Sequence, residues 1–214
     1  MRLYLSSYKV GNHPERFLEL LGDNKKVAVI RNAVDYAEPE DRRESVERAV
    51  GELKKIGLTD IEEVDLRNFF GREKELEERL KEFGGIWIAG GNVFVLKRTV
   101  EKSGFEPVIK KLLLEDSIVY AGYSAGACLA APTLRGIEFV DDLTLAYRDG
   151  REDFSWGGLG LIPYSIAPHY RSNHHESERI EKTVEYFEKQ KIPYKTLRDG
   201  EAIVIEGGKE TLLT

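Results

Sequence analysis

Ser124 sits at the centre of Gly122-Tyr123-Ser124-Ala125-Gly126, a Gly-X-Ser-X-Gly pattern between the apolar run "IVYAG" and an Ala-rich segment. A serine hydroxyl is a weak nucleophile until a neighbouring base takes its proton, and that base needs a carboxylate to orient it. The chain has four histidines. His13 lies in a polar N-terminal loop. His169, in "SIAPHYRS", follows a strand candidate, a placement suited to a general base. His174 and His175 fall in "NHHESE", ahead of a helix. For the acid, Glu138, Asp141 and Asp142 lie between Ser124 and His169, and Asp199 follows in "LRDGEA". Spacing does not choose among them.

The serine pattern has a steric meaning. A strand that reverses sharply into a helix needs small residues two before and two after the serine, which Gly122 and Gly126 supply. Ala125 and Ala127 keep the helix start slim. The helix dipole then faces the nucleophile, and the Ala125 N–H is the natural first oxyanion donor. A tight strand-to-helix turn in which glycine serves packing alone would look the same, so the late histidine and acid carry weight.

Metal and cofactor chemistry find little support. His174, His175 and Glu176 are adjacent, so a regular element would splay them, and the HExxH spacing is missing. Ser172 or Asn173 reads better as a cap for the helix that follows. No metal site is expected. Cys128 is the single cysteine, which rules out an internal disulfide and a multi-cysteine zinc site. No glycine loop carries a P-loop lysine, and "IAGGN" lacks the third glycine of a dinucleotide site, so no cofactor is expected.

The elements that must position these groups alternate. Strands are expected at 2–7, 25–33, 60–68 and 117–122, with 85–92 a strand running into a glycine turn, and helices at 41–57, 71–83, 92–104 and 105–116. In 41–57 the apolar stripe is Val46, Val50 and Leu53. Such alternation predicts a mainly parallel sheet with helices on both faces, with ligands bound beyond the carboxyl ends of the strands. The glycine turns at 90–91 and 122–126 both fall there. After residue 135 the segments 136–147 and 159–170 look like strands joined by the polar loop 148–157. A helix over 176–190 and a hairpin over 201–213, turning on Gly207–Gly208, close the chain. With 214 residues and no linker, repeat or low-complexity tract, one α/β domain over 1–214 is expected.

A net charge of −6 argues against a nucleic-acid backbone as partner. No apolar run approaches the roughly 18–20 residues of a membrane helix. The N-terminus lacks the apolar core and cleavage site of a signal peptide, which points to the cytoplasm. Oligomeric state is not legible.

With "LYLSS", "IAGGN", "YAGYSAGACLAAPTLR" and "IAPHY" in place, the chain resembles the peptidase E family of serine peptidases, which includes aspartyl dipeptidase. The resemblance covers most of the chain, and "SAGA" followed by "APT" is far more specific than the serine pattern alone. It implies an α/β fold of the class I glutamine amidotransferase (flavodoxin-like) kind with a small C-terminal hairpin. It also implies a serine exopeptidase acting on short peptides, some with an acidic N-terminal residue, through an acyl-enzyme. Ser124 would be the nucleophile and His169 the base. Glu138 matches the family's acid best by chain position, with Asp141 second and Asp199 third. Gly91 and Ala125 would donate the oxyanion hydrogen bonds. Asn92 would hold the Gly-Gly turn near the substrate.

The family's specificity arginine has no clear counterpart. Glu176 stands near where it would fall, and Arg171 and Arg135 are the remaining partners for a substrate carboxylate. Cys128 is expected to pack inward. A related amide or ester hydrolase, or an inactive binding homologue, would share most of these features.

Overall fold

A computed structural model of the chain describes residues 1–147, 150 and 154–214. Seven strands form one sheet in the order β3-β2-β4-β5-β1-β8-β9. They are β1 (Arg2–Ser6), β2 (Val27–Ile30), β3 (Ile61–Glu63), β4 (Gly85–Ile88), β5 (Val119–Tyr123), β8 (Ala202–Glu206) and β9 (Lys209–Leu213). The first five pair in parallel, whereas β8 and β9 run antiparallel. The hairpin turns on Gly207 and Gly208, as expected. A separate parallel pair joins β6 (Ser165–Ala167) to β7 (Tyr194–Thr196).

The central strands β2, β4 and β5 are apolar without interruption because both faces of the sheet are covered there. On one face Leu3, Leu5, Ile30, Ile88 and Tyr120 pack against α3 (Glu73–Leu80), α4 (Val93–Ser103), α5 (Phe105–Leu114) and α7 (Ser177–Gln190). On the other, Tyr4, Val29, Trp87 and Ala121 pack against α1 (Pro14–Leu21) and α2 (Pro39–Lys55). The alternation within β1, with Leu3 and Leu5 on one side and Tyr4 on the other, is the period-2 geometry of a strand. No helix among the described residues is long and apolar enough to cross a membrane.

Three expectations change. Residues 136–147 are not a strand. They form 3-10 turns at Ile137–Phe139 and Leu143–Tyr147, because their backbone is drawn onto the start of α4 and the flank of α7. Of 159–170, only 165–167 is extended; the loop expected at 148–157 lies partly outside the described residues. The buried stripe of α2 is Arg42, Ser45, Ala49 and Leu53, with Val46 and Val50 only half-buried, because Arg42 turns inward to meet carboxylates. The helix α1 and the strand β7 were not anticipated.

Candidate functional site

The serine turn is a sharp elbow. Ser124 follows β5 directly, with φ 49° and ψ −114°, and α6 (Ala125–Cys128) starts at the next residue. Left-handed φ in a non-glycine residue is costly and persists only where surrounding contacts enforce it. Here the Ser124 N–H donates to the carbonyls of Ser6 and Ser7 at the end of β1. The flanking glycines are required sterically. A Cβ on Gly126 would lie 2.1 Å from the Ile88 carbonyl oxygen, and one on Gly122 would lie 2.7 Å from the same atom.

The Gly-Gly turn reaches this serine. A Cβ on Gly90 would fall 3.1 Å from Ser124 Cβ, so only glycine lets the two segments approach. Gly91 adopts φ 139°, and a Cβ there would strike the Ala33 carbonyl at 2.7 Å. Asn92 caps α4 by accepting from the Phe94 and Val95 N–H groups, both at 3.0 Å, and its amide donates to the Asp142 carbonyl at 2.8 Å. Its polar atoms are therefore spent on holding the turn.

His169 is buried, at 1% exposed, with φ 59°. Its Nδ1 lies 2.6 Å from Asp199 Oδ1. The register of the short β6–β7 pair explains this meeting. Ala167 sits opposite Thr196, so the segments leaving the two strands carry His169 and Asp199 past each other. Asp199 is held in turn by its own N–H, which donates to Ser172 Oγ at 2.8 Å. Ser172, expected as a helix cap, serves here instead; α7 begins after Glu176 with no side-chain cap.

The acid brought to His169 is thus Asp199, not Glu138 or Asp141. Glu138 closes a local turn by accepting from the Gly136 N–H. Asp141 accepts from the Val93 N–H at 2.7 Å, at the start of α4. Burial pushes the Asp141 carboxyl up to about 7, with the Val93 hydrogen bond opposing and the Glu176 charge reinforcing. For His169, burial lowers the pKa below its ordinary value, and the Asp199 contact works in the opposite direction.

Around Nε2 of His169, the nitrogen left free by Asp199, stand Glu176 at 3.7 Å and the His174 ring, stacked at 3.7 Å between centroids. Tyr8 meets the rings of His169, His174 and Tyr123 edge to face. Among the described residues, His169, His174 and Glu176 bring donor atoms within 4.8 Å of one another. They fit a metal poorly as arranged. The two imidazoles are 7° from parallel, so their in-plane lone pairs run side by side rather than converging, and His174 Nδ1 already accepts from the Glu176 N–H.

Arg171 points elsewhere, 60% exposed beside Glu181 and over the Tyr170 ring, and Arg135 lies over Trp156. Cys128 is buried, its thiol directed at the Ile166 carbonyl and its pKa pushed up by burial.

The fold and this site define an α/β protein with a sharp serine turn at the carboxyl end of a central parallel strand. The sequence pattern of peptidase family S51 matches residues 6–213, and the chain belongs to that family. It is 32% identical over 142 residues to a Drosophila melanogaster protein called "Probable alpha-aspartyl dipeptidase", covering 64% of this chain and 56% of that one. It is also 32% identical over 139 residues to Peptidase E of Streptomyces coelicolor, covering 63% and 54%. These matches span little more than half of either relative. A Listeria monocytogenes EGD-e crystal structure described under the peptidase E name superposes with a TM-score of 0.78 at 25% identity, covering 99% of this chain and 97% of that one.

Proposed function

We propose that the chain, acting as one domain over its 214 residues, is a cytoplasmic serine exopeptidase that hydrolyses short peptides through an acyl-enzyme. The observation that carries this reading is the 2.6 Å contact of His169 Nδ1 with Asp199 on a chain that also holds a strained serine elbow. Asp199 fixes the tautomer in which Nδ1 bears the proton and Nε2 accepts one. Nε2 takes the Ser124 Oγ proton as the oxygen attacks the peptide carbonyl. The Ala125 and Gly91 N–H groups receive the developing oxyanion. The C–N bond then breaks, the departing amine leaves with the proton from His169, and water releases the acyl group by the same route in reverse.

An enzyme that works from a peptide's N-terminus needs an anion for the α-ammonium. Glu176, 3.7 Å from His169 Nε2, is suitably placed and by charge alone disfavours an acidic substrate side chain. The test is labelling with a fluorophosphonate probe, then assay on Asp-X, Glu-X and neutral dipeptides beside an amide and an ester. Labelling confined to Ser124 and lost in His169→Ala is expected, with neutral dipeptides cleaved faster than acidic ones. Undiminished labelling of Ser124→Ala would sink the reading.

A further inference from the structure

Ser7, the first residue past β1, is fully buried, and each of its polar atoms reaches a different part of the site. Its carbonyl accepts the Ser124 N–H at 3.2 Å, and its own N–H donates to the Glu201 carbonyl at 3.0 Å. Its Oγ accepts the His169 backbone N–H at 2.8 Å. The same Oγ stands 2.9 Å from Asp199 Oδ1 and 3.3 Å from the Leu197 carbonyl. One hydroxyl proton must serve one of these two acceptors. The Ser7 hydroxyl donates to Asp199 Oδ1, because a carboxylate oxygen at 2.9 Å is a nearer and stronger acceptor than a carbonyl at 3.3 Å.

We propose that Ser7 is a positioning residue that holds the nucleophile, the base and the acid in one register; the proposal rests on the serine-peptidase reading above. Its carbonyl anchors the elbow. Its hydroxyl pins the left-handed backbone of His169, a conformation that needs such an anchor. That hydroxyl also shares Asp199 Oδ1 with the imidazole. It therefore fixes where the carboxylate sits and how much of its charge the imidazole feels. Ser7 touches no reacting atom and acts only through these three partners.

Among the described residues, the charged and titratable groups facing His169 are Asp199, Glu176, His174, His175 and Tyr8. Only the first bonds to Ser7. With the Ser7 hydroxyl removed, all of the Oδ1 charge falls on the imidazole, which becomes more basic and stays protonated to higher pH. The acid limb of the reaction then moves up.

The experiment measures the second-order rate of Ser124 labelling by a fluorophosphonate across pH 5–9, which needs no knowledge of the substrate. Ser7→Ala removes the hydroxyl, Ser7→Cys keeps its size but is a poor hydrogen-bond partner, and Ser7→Thr restores it. Ser7→Ala and Ser7→Cys are expected to label roughly 10–100-fold more slowly, as for loss of an orienting contact. Their acid limbs should rise by about half a unit or more. Ser7→Thr should recover most of the rate and the wild-type limb even if its melting temperature falls. If Ser7→Ala does not fold, the Cys and Thr pair decides. A Cys variant that labels like wild type, or slow labelling with an unmoved limb, overturns the proposal and leaves Ser7 a packing residue. Wild-type protein that fails to label at all overturns the serine-peptidase reading instead.

Discussion

At the ends of β2 and β3, Asp35, Glu63 and Asp65 gather around Arg42 and Arg67; beyond β5, Asp199 and Glu176 flank His169, and Asp141 lies within reach of the Glu176 charge. Both clusters are acidic and centre on a buried side chain, Arg42 or His169, yet they treat protons in opposite ways. In the first, Arg42 contacts Asp35 at 2.9 Å and Glu63 at 2.8 Å, and Arg67 contacts Asp65 at 2.6 Å. Asn32 donates to Asp35 at 2.8 Å and to Asp65 at 2.9 Å. Burial alone would raise the Asp65 carboxyl, but hydrogen bonds from Arg67 and Asn32 and the Arg42 charge outweigh it and hold it at about 2. In the second cluster burial wins. It raises Asp141 to about 7 and lowers His169. A cluster that only holds the chain together locks its groups in the charged form. In the second, burial favours the uncharged forms of Asp141 and His169, which suits the proton transfer proposed for His169.

The hardest way to break this contrast is at Ser124, the proposed nucleophile. Ser124→Ala should lower turnover roughly 10⁴–10⁶-fold while the melting temperature stays put. Unchanged turnover would remove the site from the chemistry altogether. Next comes the proposed orienting acid. Asp199→Asn should cost about 10²–10⁴-fold in kcat by losing control of the tautomer. Glu138→Gln should change kcat by no more than about threefold, because its contact is local. The reverse ranking in a side-by-side assay would restore Glu138 as the acid.

The ionic cluster should give the opposite signature. Arg42→Met leaves Asp35 and Asp65 short of a partner and should cost about 2–4 kcal/mol in denaturant unfolding. The fluorophosphonate labelling rate of the folded protein should stay within about twofold of wild type.

The smallest effects are in the pH dependence of stability, and their signs differ. Asp65 titrates lower in the folded chain than its ordinary 3.8. Its contribution, about 2 kcal/mol, is present above pH ~4 and lost as pH falls toward 2. Asp65→Asn should flatten the stability curve in that window. Asp141 titrates higher than 3.8. Its carboxyl therefore costs stability progressively as pH rises from about 4 to 7. Asp141→Asn should gain on wild type across that range, on the order of 3 kcal/mol at the plateau. Unfolding curves at pH 3, 5 and 8 check both; a parallel offset at every pH would mean that titration is not the cause.

Much of the molecule was legible before folding. The central strands announced themselves because a parallel sheet covered on both faces demands unbroken apolar runs, and β2, β4 and β5 carry them. The elbow was legible for a local reason too: its steric rule is written in residues two apart from Ser124. The segment 136–147 misled because its alternation of apolar and acidic residues mimics a strand. Its backbone is instead committed to α4 and α7, a contact no local pattern records.

By itself, then, the sequence determined the alternating architecture, the serine turn, the Gly-Gly turn beside it and the histidine near a strand end. These depend on spacing within a few residues. Only the tertiary structure decided which acid meets that histidine. Asp199 lies 30 positions from His169 and comes to it through β7, a three-residue strand too short and too polar to be seen in advance. Ser7 was equally hidden, because a buried serine at a strand end has no distinctive pattern. Its importance arises from pairings to His169 and Asp199 at separations of 162 and 192 residues. Periodicity encodes which face of an element is buried, but a hydrogen bond between distant loops depends on the register of the whole sheet.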